Sequence, residues 1–339
     1  MKLISGPMAT ISHPAFRILL EKFGGCDEYF TEMINAGTLL TGGQFEKFYI
    51  NPAPVPQKIV WQLTGHDAEH MEKAAEILCA LPGLGLDLNM GCSAPDIYRY
   101  GAGIAWMLKP ASETEDMVRR VRRVVEEWNK TASPDEKKRF SVKLRLGDDN
   151  FTDDGFLSFC DMLVSNGVEL LTLHPRTKKE KLTRSARHFY CQKLCERFPG
   201  ISVYLNGNVK DEPSLKNALA SAPLVRGVMI SRACVQKPWI FSELRAAIDG
   251  DGGYIDGEKA KFTVNMKDLA LSYIADVERY QPPEFWKTRL QRFFTYFCEN
   301  FKFAHYAKTQ FLNSKDNDEL RARIEEFFEK CPEEAIKQI

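Results

Sequence analysis

A cysteine that directly follows an apolar run is the most chemically informative residue of this 339-residue chain. The run Leu84-Gly-Leu-Asp-Leu88 is typical of a buried strand, and Asn89-Met-Gly-Cys92 ends it with an amide and a thiol. A cysteine thiol is ordinarily still protonated at neutral pH, so it is a competent general acid. The alternative interpretation of Cys92 is a small buried hydrophobic residue, the usual fate of a free cysteine.

The same layout, a short apolar segment with a functional side chain at its end, recurs along the chain. The residues at these ends are Met8, Glu32, Gln62, Asn89, Lys143, His174, Asn206 and Ser231. In a (β/α)8 barrel the carboxyl ends of all strands meet on one face, where the active site lies. The pattern therefore predicts that these residues lie close together.

The elements that must position these residues alternate in type. The predicted strands are 2–8, 28–34, 57–63, 84–90, 140–146, 168–174, 201–206 and 225–231. The predicted helices between them are 14–23, 67–80, 112–130, 153–166, 186–198 and 212–220. Apolar strands that alternate with amphipathic helices indicate a parallel sheet covered on both faces. Eight such units in roughly 240 residues match the size of a closed barrel.

We therefore predict an α/β fold, a (β/α)8 TIM barrel followed by a small C-terminal helical-bundle domain. A doubly wound open sheet is the alternative. To bind a dinucleotide it would need a Gly-x-Gly-x-x-Gly turn after the first strand, and Gly6-Pro-Met8 offers none.

The domain boundary is predicted where the strand pattern stops. A turn-rich stretch follows, and from Val264 to the end the sequence has helical periodicity. We expect a barrel over 1–245, a linker over 246–262 and a helical domain over 263–339. Within segment 284–302, apolar residues at spacings of four, three, four and four predict the core of a helix bundle: Trp286, Leu290, Phe293, Phe297 and Phe301.

The charge balance is even, with 46 Lys and Arg against 46 Asp and Glu, so nucleic-acid binding would require a local patch. One candidate patch follows the sixth strand and opposes a single acid, Glu180, with six cations: Arg176, Lys178, Lys179, Lys181, Arg184 and Arg187. A second candidate lies on the polar side of a C-terminal helix: Lys287, Arg289 and Arg292. The alternative for both is an ordinary solvated charged surface.

The cysteines and histidines argue against metal sites and disulfides. The nine cysteines are scattered, with no Cys-x-x-Cys pair, and the six histidines have no zinc-ligand spacing. This usage is typical of reduced thiols in a cytoplasmic enzyme. The N-terminus has no signal-peptide pattern, and no stretch approaches the roughly 20 apolar residues of a membrane span. We expect a cytoplasmic protein without metal or membrane contact, and nothing suggests more than a monomer.

The strand ends together carry a family resemblance. Its motifs occur in order between residues 4 and 241: Gly6-Pro-Met-Ala9, Gln62-Leu-Thr-Gly65, Asp87-Leu-Asn-Met-Gly-Cys92, Gly101-Ala-Gly103, Val142-Lys-Leu-Arg-Leu-Gly147, Leu173-His-Pro-Arg-Thr177, Asn206-Gly-Asn208, Val228-Met-Ile-Ser-Arg232 and Lys237-Pro-Trp239. The chain resembles the tRNA-dihydrouridine synthases. The resemblance implies a flavin mononucleotide (FMN) barrel that uses NADPH to reduce specific uridines in the D-loop of tRNA to 5,6-dihydrouridine.

The sequence departs from the family pattern at two places. Ser93 follows Cys92 where the family usually has proline, so the backbone of this loop is expected to differ. The segment after Thr177 is rich in lysine where the family often has glycine and aromatic residues. The second departure bears on which tRNA position is modified.

The resemblance assigns a set of residues to the flavin. Gln62 would bind its uracil-like edge, Lys143 would place a cation near the ring, and Arg232 would bind the phosphate. The full expected set is Pro7, Met8, Ala9, Gln62, Lys143, His174, Asn206, Gly207, Asn208, Ser231 and Arg232. For Gln62 and His174 the alternative is a satisfied core residue, and for Arg232 it is a surface ion pair.

The resemblance also implies the chemistry at uracil. The flavin delivers hydride to C6 from one face, and Cys92 donates a proton to C5 from the other. The residues expected to contact the tRNA are Asn89, Arg145, Arg176, Lys178 and Lys179. Two alternative functions stay open: an FMN-dependent reductase of small enes or pyrimidines, and a non-catalytic RNA-binding barrel.

Overall fold

A computed structural model of the chain describes residues 1–148, 150–180, 183–249, 254–255, 258–259 and 263–339. Eight parallel strands close into a barrel, because the first strand pairs with both the second and the last. In chain order they are β1 (Lys2–Ser5), β2 (Glu28–Phe30), β3 (Ile59–Thr64), β4 (Gly85–Met90), β5 (Arg139–Gly147), β6 (Leu170–Thr177), β7 (Ser202–Asn206) and β8 (Gly227–Ile230). The predicted TIM barrel is confirmed, and the closure excludes an open sheet.

Helices cover the outside of the barrel and form the C-terminal part. They are α1 (Pro14–Glu21), α2 (Ala36–Leu40), α3 (Glu46–Tyr49), α4 (Ala68–Cys79), α5 (Pro95–Arg99), α6 (Ala111–Thr131), α7 (Asp153–Ser165), α8 (Phe189–Arg197), α9 (Glu212–Ser221), α10 (Arg232–Gln236), α11 (Ile240–Asp249), α12 (Met266–Tyr280), α13 (Pro283–Phe297), α14 (Ala304–Leu312) and α15 (Asn317–Lys330). No helix of the described residues is both long and apolar enough to cross a bilayer.

The barrel strands form because their residues are apolar on both faces. Every residue of β3 and β4 is buried, as expected for parallel strands that contact the barrel interior on one side and helices on the other. Each strand leads into a loop at its carboxyl end, and these ends form one rim of the barrel. A two-residue strand, Ile34–Asn35, pairs with the end of β3 and extends the sheet beside this rim.

The C-terminal part is a helix bundle around an aromatic core. Four residues of the predicted apolar stripe are buried, among them Phe293 and Phe297, whose ring centroids lie 5.2 Å apart. Trp286 is half-buried. The predicted bundle core is confirmed, although α13 ends at Phe297 and a 3-10 turn (Cys298–Asn300) precedes the last stripe residue.

The expectation that everything after Val264 is helical is wrong in one respect. Thr263–Asn265 and Ile336–Gln338 pair as two antiparallel strands that bring the start and end of the bundle together. Such short strands depend on a partner about 70 residues away, which local periodicity does not register. Most of the predicted linker, 246–262, lies outside the described residues, so the division at 245 stays a prediction; α11 continues to Asp249.

Candidate active site

A cleft of about 630 Å³ opens at the carboxyl ends of the barrel strands. Of the strand-end residues predicted to lie together, Glu32 does not line the cleft and instead pairs with Arg289. The residues predicted for catalysis, cofactor and substrate line it except Lys178 and Lys179: Pro7, Met8, Ala9, Gln62, Asn89, Cys92, Lys143, Arg145, His174, Arg176, Asn206, Gly207, Asn208, Ser231 and Arg232. The barrel closure brings these residues together from seven different strand ends, as the fold requires.

The cleft also has lining residues that the sequence did not single out: Met33, Gly91, Val209, Lys210, Met229, Ala233, Gln236 and Tyr296. Tyr296 is the most informative of them because it comes from α13 of the bundle, so both parts of the protein border the cleft. Its helix carries an aromatic periodicity that predicted only core packing, and no local signal separates Tyr296 from the buried rings beside it.

The Cys92 loop is held by backbone contacts on two sides. The side-chain oxygen of Asn89 accepts a hydrogen bond from the Cys92 amide at 3.0 Å, and the Ile104 amide donates to the Cys92 carbonyl at 2.9 Å. Gly103 has φ +63°, and a Cβ there would lie 2.5 Å from the same carbonyl. The loop is therefore tightly constrained. All nine cysteines are in the described residues, and Cys92 alone among them is not buried.

A buried chain of hydrogen bonds supports Asn89 from below. Asn89 Nδ2 donates to Gln62 Oε1 at 2.8 Å, and Gln62 Nε2 donates to Asp87 Oδ2 at 2.8 Å. Ser141 Oγ donates to the other Asp87 oxygen at 2.7 Å. Burial raises the pKa of Asp87 to about 6, while the hydrogen bonds from Gln62 and Ser141 oppose the rise. Gln62 is thus fully buried and oriented by protein contacts at both ends of its amide.

Lys143 lies close enough to this network for its ammonium group to interact electrostatically with Asp87. Among the described residues it has no hydrogen-bond or ion-pair partner. Burial and the neighbouring Arg145 lower the pKa of Lys143 to about 8, while Asp87 and Cys92 act in the opposite direction. Arg145 itself donates through Nε to the Gly91 carbonyl at 3.0 Å, so it also braces the Cys92 loop.

His174 is a neutral imidazole. Arg176 Nη1 lies 2.6 Å from His174 Nε2, and a guanidinium can only donate, so Nε2 accepts and the ring proton is on Nδ1. Burial and then the cations Lys143 and Arg145 hold the pKa of His174 far below its usual value. The ring therefore presents one N–H donor and carries no charge at neutral pH.

The loop after β7 is shaped by two left-handed residues. Gly207 has φ +111° and Asn208 has φ +62°. A Cβ on Gly207 would lie 2.9 Å from Cδ2 of His174, so only glycine fits there. Asn208 Oδ1 accepts a hydrogen bond from Arg176, and Asn206 Nδ2 donates to the Met229 carbonyl at 2.8 Å.

The next wall of the cleft follows β8, the strand that pairs with β7. A Cβ on Gly6 would overlap the hydroxyl of Ser231, so glycine is required where the backbone after β1 passes this hydroxyl. Arg232 is exposed, and no described residue pairs with it. This placement does not match the surface ion pair that was its alternative interpretation.

The charge of the cleft is strongly one-sided. Its lining holds five cationic side chains and, within the described residues, no carboxylate: Lys143, Arg145, Arg176, Lys210 and Arg232. Two of these cations, Lys143 and Arg176, are buried or half-buried and form no ion pair within the described residues. Such burial is costly, and an anionic ligand offsets that cost. The residues that line the cleft therefore fit a ligand with a phosphate group.

The predicted basic loop is less cationic at the surface than its sequence suggests. Lys178 pairs with Asp148 at 3.1 Å and lies over the Tyr98 ring, and Arg187 pairs with Glu180 at 2.8 Å. Lys181 lies outside the described residues. The exposed cations of the loop without a side-chain partner in the described structure are Lys179 and Arg184.

The second basic set needs a correction. Arg289 is not on the polar side of α13, because only 2% of its side chain is exposed and Nη1 donates to Glu32 at 2.7 Å. Lys287 and Arg292 are exposed as expected. Among the described residues, no cluster of three or more His, Cys, Asp or Glu side chains could hold a metal ion.

Comparison with known proteins identifies the family of this chain. A family model described as "Dihydrouridine synthase (Dus)" matches residues 3–330. A probable tRNA-dihydrouridine synthase of Aquifex aeolicus is 26% identical over 330 residues, which are 96% of this chain and 95% of that protein. A probable tRNA-dihydrouridine synthase 2 of Bacillus subtilis is 25% identical over 96% of this chain and 93% of that protein.

A third relative covers less of this chain, and one solved structure has only a low structural similarity to it. The tRNA-dihydrouridine synthase B of Pseudomonas syringae pv. tomato is 27% identical over 71% of this chain and 67% of its own length. A mutant of FabK from Thermotoga maritima aligns with a TM-score of 0.39 and 12% identity, over 70% of this chain and 63% of that chain. Since the family model spans nearly the whole chain, this protein belongs to the dihydrouridine synthase family, and the prediction of an oxidoreductase that forms dihydrouridine is confirmed.

Proposed function

We propose that this protein reduces specific uridines in the D-loop of tRNA to 5,6-dihydrouridine, with FMN bound in the cleft and NADPH as the reductant. The observation that carries the proposal is the content of one cleft. It combines a partly exposed thiol with five cations and no carboxylate among its described lining residues. A thiol supplies the proton that uracil reduction needs, and the cations suit a ligand with a phosphate group.

Three sets of cleft residues would hold the cofactor. Asn206, Gly207 and Asn208 with Ser231 and Arg232 form the proposed phosphate end, where the backbone approaches closely and Arg232 has no described partner. Lys143 would lie near the ring and favour negative charge there. Pro7, Met8 and Ala9 give that space one largely apolar wall. Bound FMN would supply the hydride that adds to C6 of uracil.

The side chains around Cys92 would complete the reduction. Cys92 Sγ donates its proton to C5 of uracil, and the half-exposed thiolate then regains a proton from solvent. Asn89 holds the Cys92 amide and so fixes where the thiol points. The neutral His174 ring, with its proton on Nδ1, would donate a hydrogen bond to a carbonyl oxygen of the flavin or the uracil.

The substrate would reach this cleft as part of a folded tRNA. The target base must leave its stack, at a cost of a few kcal/mol that backbone contacts offset. Exposed Lys179 and Arg184 are suited to phosphate contacts beside the rim, and Tyr296 offers an aromatic side chain at the cleft. We assign residues 1–245 to cofactor and chemistry and 263–339 to tRNA, in a cytoplasmic monomer.

The decisive test is Cys92→Ala, assayed in two half-reactions. Oxidation of NADPH by the bound flavin needs no proton at uracil and is expected to stay near the wild-type rate. Reduction of tRNA is expected to fall about 10²–10⁴-fold, the usual contribution of a general acid. Cys195→Ala, which changes a buried thiol that does not line the cleft, serves as the matched control.

Three results would contradict the proposal. Near wild-type tRNA reduction by Cys92→Ala would remove the thiol from the chemistry. Equal activity on free uridine and on tRNA would favour a small-molecule reductase. A folded protein that purifies colourless and takes up no FMN would favour a non-catalytic RNA-binding barrel.

A further inference from the structure

A second groove of about 420 Å³ adjoins the catalytic cleft. Met33 lines both spaces, so the two are neighbours. The walls of the groove include Asn35, Phe45, Glu46, Tyr49 and, from the bundle, Phe285. No residue of this groove has a role in the reduction proposed for the cleft. Because the two spaces share Met33 as a wall, two nearby nucleotides of one RNA loop can occupy both.

The groove has a firmly held aromatic wall. The ring centroids of Phe45 and Phe285 are 4.7 Å apart, and Phe285 comes from α13. The Arg289 guanidinium carbon lies 4.9 Å from the Phe285 centroid, and the buried ion pair with Glu32 fixes that guanidinium. Unpaired RNA bases are commonly recognised by stacking on such rings.

The groove also holds a carboxylate without a donor. Glu46 Oε2 is shielded from solvent, and no described residue donates a hydrogen bond or an ion pair to the Glu46 side chain. Burial raises the pKa of this carboxyl group above its usual value. An unsatisfied buried acceptor costs about 1–3 kcal/mol, so a ligand that donates to Glu46 gains affinity from the relief. Asn35 adds a side-chain amide whose oxygen is already engaged by the Thr38 amide at 3.0 Å, which leaves its NH2 group as a donor.

These groups define the chemistry of the occupant. A carboxylate repels phosphate, so the RNA group at Glu46 must be a hydrogen-bond donor, and the donors of RNA bases and ribose are uncharged at neutral pH. Guanine is the standard RNA base with two adjacent donors, N1–H and N2–H, on its Watson–Crick edge, beside the O6 acceptor. The two Glu46 oxygens complement the two donors once rotation about the Cγ–Cδ bond turns the shielded Oε2 toward the ligand, and the Asn35 amide supplies a donor for O6. Adenine, cytosine and uracil each present a lone pair next to their donor, which would face the carboxylate.

We propose that this groove binds a guanine base of the tRNA close to the uridine that is reduced, with Glu46 accepting from N1–H and N2–H and Phe45 and Phe285 forming the stacking wall. The inference rests on the proposed tRNA function and deepens it. The groove thereby selects the sequence context of the target uridine.

The test compares Glu46→Gln with wild type on a tRNA transcript and on versions in which single D-loop guanosines are replaced by inosine, which lacks the N2 amino group. Glu46→Gln is nearly isosteric and loses no protein hydrogen bond. Glu284→Gln is the control, because Glu284 is exposed beside Phe285 and does not line the groove. FMN content and the thermal unfolding midpoint are measured for each variant to show that it is folded.

A bidentate base contact is worth about 1–3 kcal/mol of discrimination. We therefore expect Glu46→Gln to lower kcat/KM for tRNA by about 10- to 100-fold, mainly through KM, with FMN content and NADPH oxidation unchanged. Inosine at one position should weaken wild type by a similar factor and weaken Glu46→Gln little further. Wild-type kinetics for Glu46→Gln, or equal inosine effects in both proteins, would overturn the subsite while leaving the tRNA activity intact. A wild-type protein that reduces no tRNA would overturn the proposed function, and the subsite with it.

Discussion

Arg176 and Arg289 were predicted to have the same role, but the structure gives them different partners. Both were expected in basic patches that face RNA, and in both only 2% of the residue is exposed. Arg289 has a counter-charge, because Glu32 accepts its hydrogen bond at 2.7 Å between barrel and bundle. Arg176 has none among the described residues and donates to neutral acceptors, including His174 and Asn208.

The difference separates a structural charge from a binding charge. A buried ion pair is satisfied within the protein, and removal of one partner leaves the other uncompensated. Burial and the nearby cations Arg145 and Arg232 lower the pKa of Arg176, and Glu180 opposes them only in part, so the surroundings disfavour the charge of Arg176. We infer that Arg289 holds the bundle against the barrel. We infer also that Arg176, which hydrogen-bonds Asn208 of the proposed phosphate end, contributes to the FMN site rather than to the tRNA contact expected from the sequence.

The largest expected effect is the loss of the Arg289 counter-charge. Arg289→Met leaves Glu32 buried without its cation and should lower the free energy of unfolding by about 3–5 kcal/mol. Denaturant unfolding measures this change. The double variant Glu32→Gln/Arg289→Met should recover much of the loss. Arg292→Met, an exposed arginine of the same helix, should change stability by less than about 0.5 kcal/mol; an equal loss in both arginine variants would contradict the ion-pair assignment.

Arg176→Met should weaken FMN binding more than it lowers stability. The unliganded protein should lose less stability than Arg289→Met loses, because no buried carboxylate is left behind. The dissociation constant for FMN should rise about 10- to 100-fold, the range for a hydrogen bond to a charged group of about 1.5–3 kcal/mol. Titration of apoprotein with FMN, followed by flavin fluorescence, measures it. Unchanged FMN affinity together with a large stability loss would make Arg176 structural, like Arg289.

Lys143 sharpens the comparison through pH. Its pKa is lowered from 10.5 in the unfolded chain to about 8 in the unliganded fold. The unfolded chain therefore binds more protons between pH 8 and 10.5, and stability relative to Lys143→Met should rise with pH across that window. Affinity for FMN should fall as pH rises through 8, by up to about tenfold per unit, because the ammonium loses its charge. A flat FMN affinity from pH 7 to 9.5, matching Lys143→Met, would remove the lysine from the cofactor site.

The smallest effect is expected at the exposed loop. Charge reversal at Lys179 and Arg184 should raise the dissociation constant for tRNA several-fold and reduce its salt dependence, by a slope of roughly 0.7–0.9 for each phosphate that the loop no longer neutralises. FMN content should not change. Lys137→Glu is the control, since Lys137 is an exposed lysine just before β5, at the other end of the barrel. If the control weakens tRNA binding equally, the loop has no specific role.

Most of the site could be predicted because a barrel places residues from corresponding positions of its strands on one face. Cys92 follows β4, whereas β5 and β6 continue beyond Lys143 and His174, so these two residues lie inside their strands rather than at the ends. Parallel strands that close into a barrel still bring these residues to one face. The motif at Asn89–Cys92 similarly indicated a thiol available for chemistry just past a strand end. These conclusions depended only on residue type, order and spacing.

The tertiary structure decided which charges are free and which surfaces meet. Whether Arg289 points to solvent or to Glu32 depends on a partner 257 residues away, and the two donors to Asp87 belong to different strands. Tyr296 borders the catalytic cleft and Phe285 borders the adjoining groove because the bundle packs against the barrel. Helical periodicity alone does not specify this packing. Local sequence sets the period of an element and the residues at its ends. The pairing of buried charges and the walls between domains depend on long-range packing, because the free energy of a buried polar group is set by its neighbours in space.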